Sequence, residues 1–285
     1  MDHIGEFFPD SPIWFRWLGR LAAPLFFYAL AGGFQHTRNR KKYLLRLYLA
    51  NVGMVFFNQI MCMLQRKLDY VAYQPKNHNI FTTLFCAGVL ICIWENRKEK
   101  KKFFTYIGIY IFWQAMVMGL AILAEAFDYV WRGNALLQTV LRTNYIFPLL
   151  GGIWDAEGGV FFIVLGVWLY CAVENKWKLA LRYILFCGAY MFMCQGDILY
   201  RIMSRFSFWG YHKLADVIYF GSSFVGIPLG TSDLSLLTEF YQWMMIGALP
   251  IMLSCNGKRG KSLKWLFYAA YPLQFLVLYG ISYYK

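Results

Sequence analysis

The residues best equipped for chemistry sit at the two ends of the first apolar stretch. His3, in the tetrapeptide DHIG, is an imidazole near the start of the chain. Such a ring titrates nearest neutral pH and can take a proton from an amine or a hydroxyl. Asp2 lies beside it, but adjacent helical residues do not share a face, so Asp2 would orient His3 only through a loop or a water. Arg16 and Arg20 are four apart and therefore share a helix face, with Arg20 about 9 Å inward of Trp14 at ~1.5 Å per residue. An arginine inside an apolar span is costly: it either serves function or snorkels to the interface. At the far end, HTRNRKKYLLR (36–46) gathers Arg38, Arg40, Lys41, Lys42 and Arg46, with His36, Thr37 and Asn39 among them. Guanidinium forks match phosphate oxygens, so this turn can hold a phosphate-bearing ligand; it can equally signal topology or attract anionic lipid. A second basic loop, NGKRGK (256–261), carries Lys258 and Arg259 between glycines that allow close backbone approach. Asp155 and Glu157, in WDAEGG, lie near a span end and either cap it in solvent or touch a polar ligand. His78 and His212 fall in polar loops and read as solvated.

The elements that must position these groups are apolar helices. Of 285 residues, 59% are hydrophobic, 20% aromatic and 15% charged. A soluble domain is about half apolar with roughly a quarter of its residues charged. Apolar runs of roughly 17–25 residues recur along the chain, each long enough to cross a bilayer core as a helix. Lipid forces every backbone polar group to be satisfied within its own segment, so the expected fold is an all-α polytopic membrane protein. One transmembrane domain over 1–285 is expected, with roughly 9–11 helices, some broken or re-entrant. The expected spans are 13–34, 48–64, 79–94, 103–127, 159–173, 179–200, 240–253 and 265–284. Pro24 is expected to kink the first of them or open a cavity in it. Segments 134–152 (with Arg142, Asn144 and Pro148) and 214–229 are interrupted, either span or re-enter, and are expected to behave alike so that 254–264 stays on the basic side. Broken segments at membrane depth line a cavity, which points to an interior site.

The net charge of +13 comes from lysine and arginine clusters between spans. That is the positive-inside pattern, and it makes nucleic acid an unneeded partner. The seven cysteines lie almost all inside apolar runs, where a thiol packs as a small hydrophobe; neither a disulfide framework nor a metal site is expected. The acidic start DHIGEFFPD has no secretory signal, and an apolar helix is expected to precede it.

The blocks DHIG, GRLAAPLF and GGFQHTRNRKKYLLRL, then NIFTTL (79–84), CNGKRGK (255–261) and FYAAYPLQFLVLY (267–279), together resemble the TraX family of integral membrane proteins. They run in family order through most of the chain. Gln274 stands where the family's last block usually has His, and Asp155 is the counterpart of an acidic family position.

The resemblance implies a multi-pass protein of the cell membrane that moves an acetyl group from cytosolic acetyl-CoA to an extracytoplasmic acceptor. The acceptor would be a peptide or pilin N-terminus or a glycan hydroxyl, with membrane lipid the other partner. In that frame His3, assisted by Asp2, is the base or transient acetyl carrier. Arg20 stabilises the thioester oxyanion or holds an acceptor carboxylate. His36, Thr37, Arg38, Asn39, Arg40, Arg46, Lys258 and Arg259 hold the coenzyme phosphates, and Asp155 and Glu157 meet the acceptor. Two other readings use the same residues: a transporter or flippase for a phosphorylated or lipidic anion, and a non-catalytic membrane assembly factor.

Overall fold

A computed structural model describes residues 2–8, 10–67, 79–130, 143–154, 156–195, 201, 205, 211–228, 234–256 and 264–284. The protein is all-α and polytopic, with no strand among the described residues. Four helical stretches among these residues, Arg40–Leu64, Lys100–Ala124, Lys176–Gln195 and Leu266–Tyr283, are long and apolar enough to cross a membrane. The chain divides into two compact units, 1–35 with 69–73 and 168–285, and 36–68 with 74–167.

The first unit begins with α1 (Asp2–Phe7), α2 (Trp14–Gly19) and α3 (Ala22–His36). The continuous first span expected over 13–34 is broken at Arg20–Leu21. Pro24 lacks the N–H that would donate to the Arg20 carbonyl, and the break falls at that point. The same residue is harmless as the third residue of α3, where N–H groups have no intrahelical partner anyway. Pro24 therefore starts a helix instead of kinking one. The buried stripe of α3 is Phe27, Leu30, Ala31 and Phe34, each at most 2% exposed. The i, i+3, i+4, i+7 spacing puts all four on one face.

The unit continues with α9 (Lys176–Gln195), α10 (Tyr211–Val225), a 3-10 turn (Gln242–Gly247), α11 (Ala248–Ser254) and α12 (Lys264–Tyr284). The Tyr183 hydroxyl of α9 donates to the Met245 carbonyl at 2.6 Å, and Tyr190 donates to Gly226 at 3.2 Å. Lys176 at the start of α9 donates to the Leu253 carbonyl at 2.7 Å, answering one of the orphan carbonyls at the end of α11.

The second unit is built from α4 (Arg40–Lys67), α5 (Ile80–Glu95), α6 (Lys100–Val130), α7 (Thr143–Leu149) and the start of α8 (Gly159–Tyr170). Asn39 caps α4, its side-chain oxygen accepting from the Lys42 amide at 2.9 Å. Helix α5 is apolar on all sides and buried along most of its length, as expected of a central helix. Helix α6 buries a narrow stripe, Gln114, Val117, Ala121 and Ala124, and leaves most of its other apolar side chains exposed, as a lipid-facing helix does.

Between α7 and α8 the chain turns at membrane depth. Four successive carbonyls at the end of α7 each meet a side-chain donor: Pro148 takes Asn51 at 2.7 Å, Leu149 takes Tyr48 at 2.7 Å, Leu150 takes Trp113 at 2.9 Å and Gly151 takes Gln114 at 3.2 Å. The Gln114 oxygen in turn accepts from the Ile153 amide at 2.9 Å. These donors come from α4 and α6, and they replace the water that a surface turn would use. Asn51 is about 16 Å along α4 from Arg40, and Gln114 about 21 Å along α6 from Lys100, at ~1.5 Å per residue. Gly151 is needed at the bend, because its φ is +66° and a Cβ there would lie 2.8 Å from the Phe85 ring. Of the two interrupted segments, the described part of 134–152 is thus a short helix ending in an internal turn. The other contains a continuous fifteen-residue helix, α10.

Candidate functional site

Helix α1 lies along α12. His3 and Phe7, one turn apart, face Tyr271, Phe275 and Tyr279, which are also spaced by one turn. The His3 ring is 4.4 Å from the Phe275 ring and 6.4 Å edge-on to Tyr271; Phe7 meets Tyr279 edge-on at 4.9 Å. The Nδ1 atom of His3 is 3.3 Å from the Glu6 carboxylate, and the two side chains are only 14% and 18% exposed. The carboxylate accepts when Nδ1 is protonated, the tautomer in which Nε2 is the basic nitrogen.

Glu6 is the carboxylate that sequence reasoning overlooked in favour of Asp2. The signal was present: residues three apart on a helix share a face, and residues one apart do not. Asp2 is the first residue of α1, and its side chain lies outside the described ones.

Arg16 and Arg20 do not act as a pair. The Arg16 guanidinium donates to the Gly5 carbonyl at 2.8 Å and lies flat on the α1 backbone. A Cβ on Gly5 would sit 2.7 Å from Arg16 Nε, which explains the glycine of DHIG. Arg20 turns to the 3-10 region, donating to the Gln242 oxygen at 2.9 Å and stacking over the Tyr241 ring at 5.0 Å. The Trp17 indole fixes the same corner by donating to the Leu237 carbonyl at 2.8 Å.

The basic turn belongs to the second unit. Arg40 forms an ion pair with Glu95 at 2.9 Å and donates to the Thr37 carbonyl, so it ties the start of α4 to the end of α5. Asn39 is the α4 cap already described. His36 and Arg38 are exposed. Arg46 lies over the Tyr43 ring at 5.6 Å, and its Nε atom is buried without a hydrogen-bond partner. Three of the six turn residues expected to hold phosphate (Thr37, Asn39 and Arg40) therefore also build the turn itself. Glu157 sits in the internal turn before α8, where its carbonyl accepts from the Thr83 hydroxyl at 3.1 Å. Asp155, Lys258 and Arg259 lie outside the described residues.

Beneath the turn, α4 and α5 share a buried polar cluster. The Asn51 side-chain oxygen accepts from Asn79 and from Thr82, both at 2.7 Å. This cluster, with Gln114, is what holds the α7–α8 turn in place. Sequence reasoning missed it, although Gln114 stands out as the lone amide of an apolar helix.

Residues 1–190 of the chain match the family model described as TraX protein. No curated protein and no solved structure matches the chain. The matched stretch holds α1 with His3 and Glu6, the basic turn and all of the second unit, and on that match the chain belongs to the TraX family.

Proposed function

We propose that this protein is an acetyl-CoA-dependent acetyltransferase of the cell membrane, acting on an amine or hydroxyl of an extracytoplasmic peptide or glycan. The observation that carries the reading is the half-buried His3–Glu6 pair on an aromatic wall. Nε2 of His3 takes the proton of the acceptor N–H or O–H as the acceptor attacks the thioester carbonyl. The new C–N or C–O bond forms, the C–S bond breaks, and the imidazolium returns its proton to the departing thiolate. Glu6 balances the imidazolium charge while it exists. Arg20, held by Gln242 and Tyr241, is the cation assigned to the oxyanion or to an acceptor carboxylate. Arg38 and His36 at the exposed turn, with Arg46, Lys258 and Arg259, are assigned to the coenzyme phosphates. Asp155 and Glu157 are assigned to the acceptor.

The test is transfer of radiolabelled acetyl from acetyl-CoA to the envelope fraction of cells expressing the protein. Wild-type transfer that is lost in His3→Ala, at unchanged expression and thermal stability, is expected. Full transfer by His3→Ala would overturn the mechanism. Counterflow of a phosphorylated or lipidic anion in vesicles with no covalent product would favour a flippase.

A further inference from the structure

The second unit contains a cavity of about 720 Å³ between α4, α5 and α6, floored by Leu149–Gly151. Its walls include Tyr48, Phe85, Val89, Cys92, Ile109 and Trp113. It is open along α6, where Ile109 is 60% exposed and Trp113 40%. It runs along α5 from Asn96 to Phe85, about 16 Å at ~1.5 Å per residue, which is close to half the ~30 Å hydrocarbon core. That is the depth of one leaflet.

Three polar groups in this wall are committed to the protein, and the Tyr110 hydroxyl is buried without a hydrogen-bond partner. Tyr48 donates to Leu149, Trp113 donates to Leu150, and the Asn96 amide donates to the Cys92 carbonyl at 2.8 Å. Most of the surface that remains is apolar and suits hydrocarbon. The mouth has the opposite character. Between Asn96 and Tyr106, both of which line the cavity, the chain carries Arg97, Lys98, Lys100, Lys101 and Lys102. Arg97 is held by the Trp94 carbonyl and ring, and Lys102 by Glu99 at 2.7 Å. Lys98, Lys100 and Lys101 are exposed around them.

We propose that this cavity is a binding site for one anionic phospholipid, with an acyl chain between α4, α5 and α6 and the phosphate on the lysines of the α5–α6 turn. Exposed lysines beside a bilayer attract anionic headgroups, and the adjoining apolar slot turns a diffuse attraction into a defined site. The site lies within the second unit, and the proposal does not depend on acetyl transfer.

The full chain, purified and delipidated in detergent, is offered phosphatidylglycerol and phosphatidylcholine of identical chains, and retained lipid is read by native mass spectrometry. One phosphatidylglycerol per chain is expected, preferred by about tenfold. The triple variant Lys98→Gln, Lys100→Gln, Lys101→Gln should lose that preference. Val89→Trp, which fills the slot, should lose the lipid. Independently of any variant, phosphatidylglycerol should slow reaction of Cys92 with a maleimide, read by peptide mass analysis. Full lipid retention by a folded Val89→Trp protein, or Cys92 labelling indifferent to lipid, would overturn the proposal. So would displacement of the lipid by coenzyme A, which would assign the slot to the arm of the co-substrate.

Discussion

Replacing Glu6 by glutamine tests the orienting carboxylate most directly. Glutamine keeps an oxygen that can accept from Nδ1–H, so the tautomer and ring position of His3 survive; only the charge is removed. At the observed 3.3 Å, Coulomb attraction between an imidazolium and a carboxylate is about 1.3 kcal/mol at bulk-water screening and about 5 kcal/mol at an effective dielectric of 20. The pair is mostly shielded but not sealed, with 14% and 18% exposure, so the intermediate value of roughly 2–3 kcal/mol is expected. Felt in the transition state, that slows transfer by about 30- to 150-fold. The assay is initial-rate acetyl transfer at matched protein levels, beside His3→Ala as the floor and Asp2→Asn as the neighbouring control. Glu6→Gln should fall between wild type and His3→Ala, and Asp2→Asn should stay within about threefold of wild type. Wild-type rates in Glu6→Gln together with collapse in Asp2→Asn would refute the assignment of the orienting carboxylate.

Other substitutions probe what positions the site. Gly5→Ala should cost about 1–3 kcal/mol in detergent unfolding, because its methyl meets Arg16 at 2.7 Å. Adding Arg16→Ala should return part of that loss, visible as a coupling in a double-mutant cycle. Asn51→Leu should cost roughly 2–4 kcal/mol, since the Pro148 carbonyl and the Thr82 hydroxyl lose their partner. The readout is earlier exposure of buried Cys86 to a thiol-reactive dye on heating. The Arg40–Glu95 pair is about 30% exposed on both sides, so its double-mutant coupling should not exceed about 1 kcal/mol.

Much of the architecture was legible in advance because lipid leaves the backbone few options. The apolar runs over 79–94 and 265–284 match the helices α5 and α12 to within a residue or two, since an apolar run bounded by polar residues has little freedom in where it starts. The first span was misread as continuous because hydropathy is blind to a single missing N–H; Pro24 had to be placed in the register of Arg20 to show the break. Glu6 was overlooked as a neighbour of His3 for a similar reason. Proximity in sequence drew attention to Asp2, although helical spacing favours Glu6.

The amino-acid sequence by itself determined the solvent this protein folds in, its helical class, its basic connecting segments and the identity of its one histidine inside the DHIG block. Those follow from composition and local spacing, which act over a few residues. Tertiary structure alone decided where the carbonyls of the α7–α8 turn go and which aromatic wall His3 faces. It also separated Arg16 from Arg20 and split the roles of the basic turn between ion pair, cap and exposed cation. Each of these joins residues far apart in the chain. Asn51 meets Pro148 and Arg20 meets Gln242 because buried polar groups must find partners wherever the packing puts them. No local pattern encodes which partner that will be.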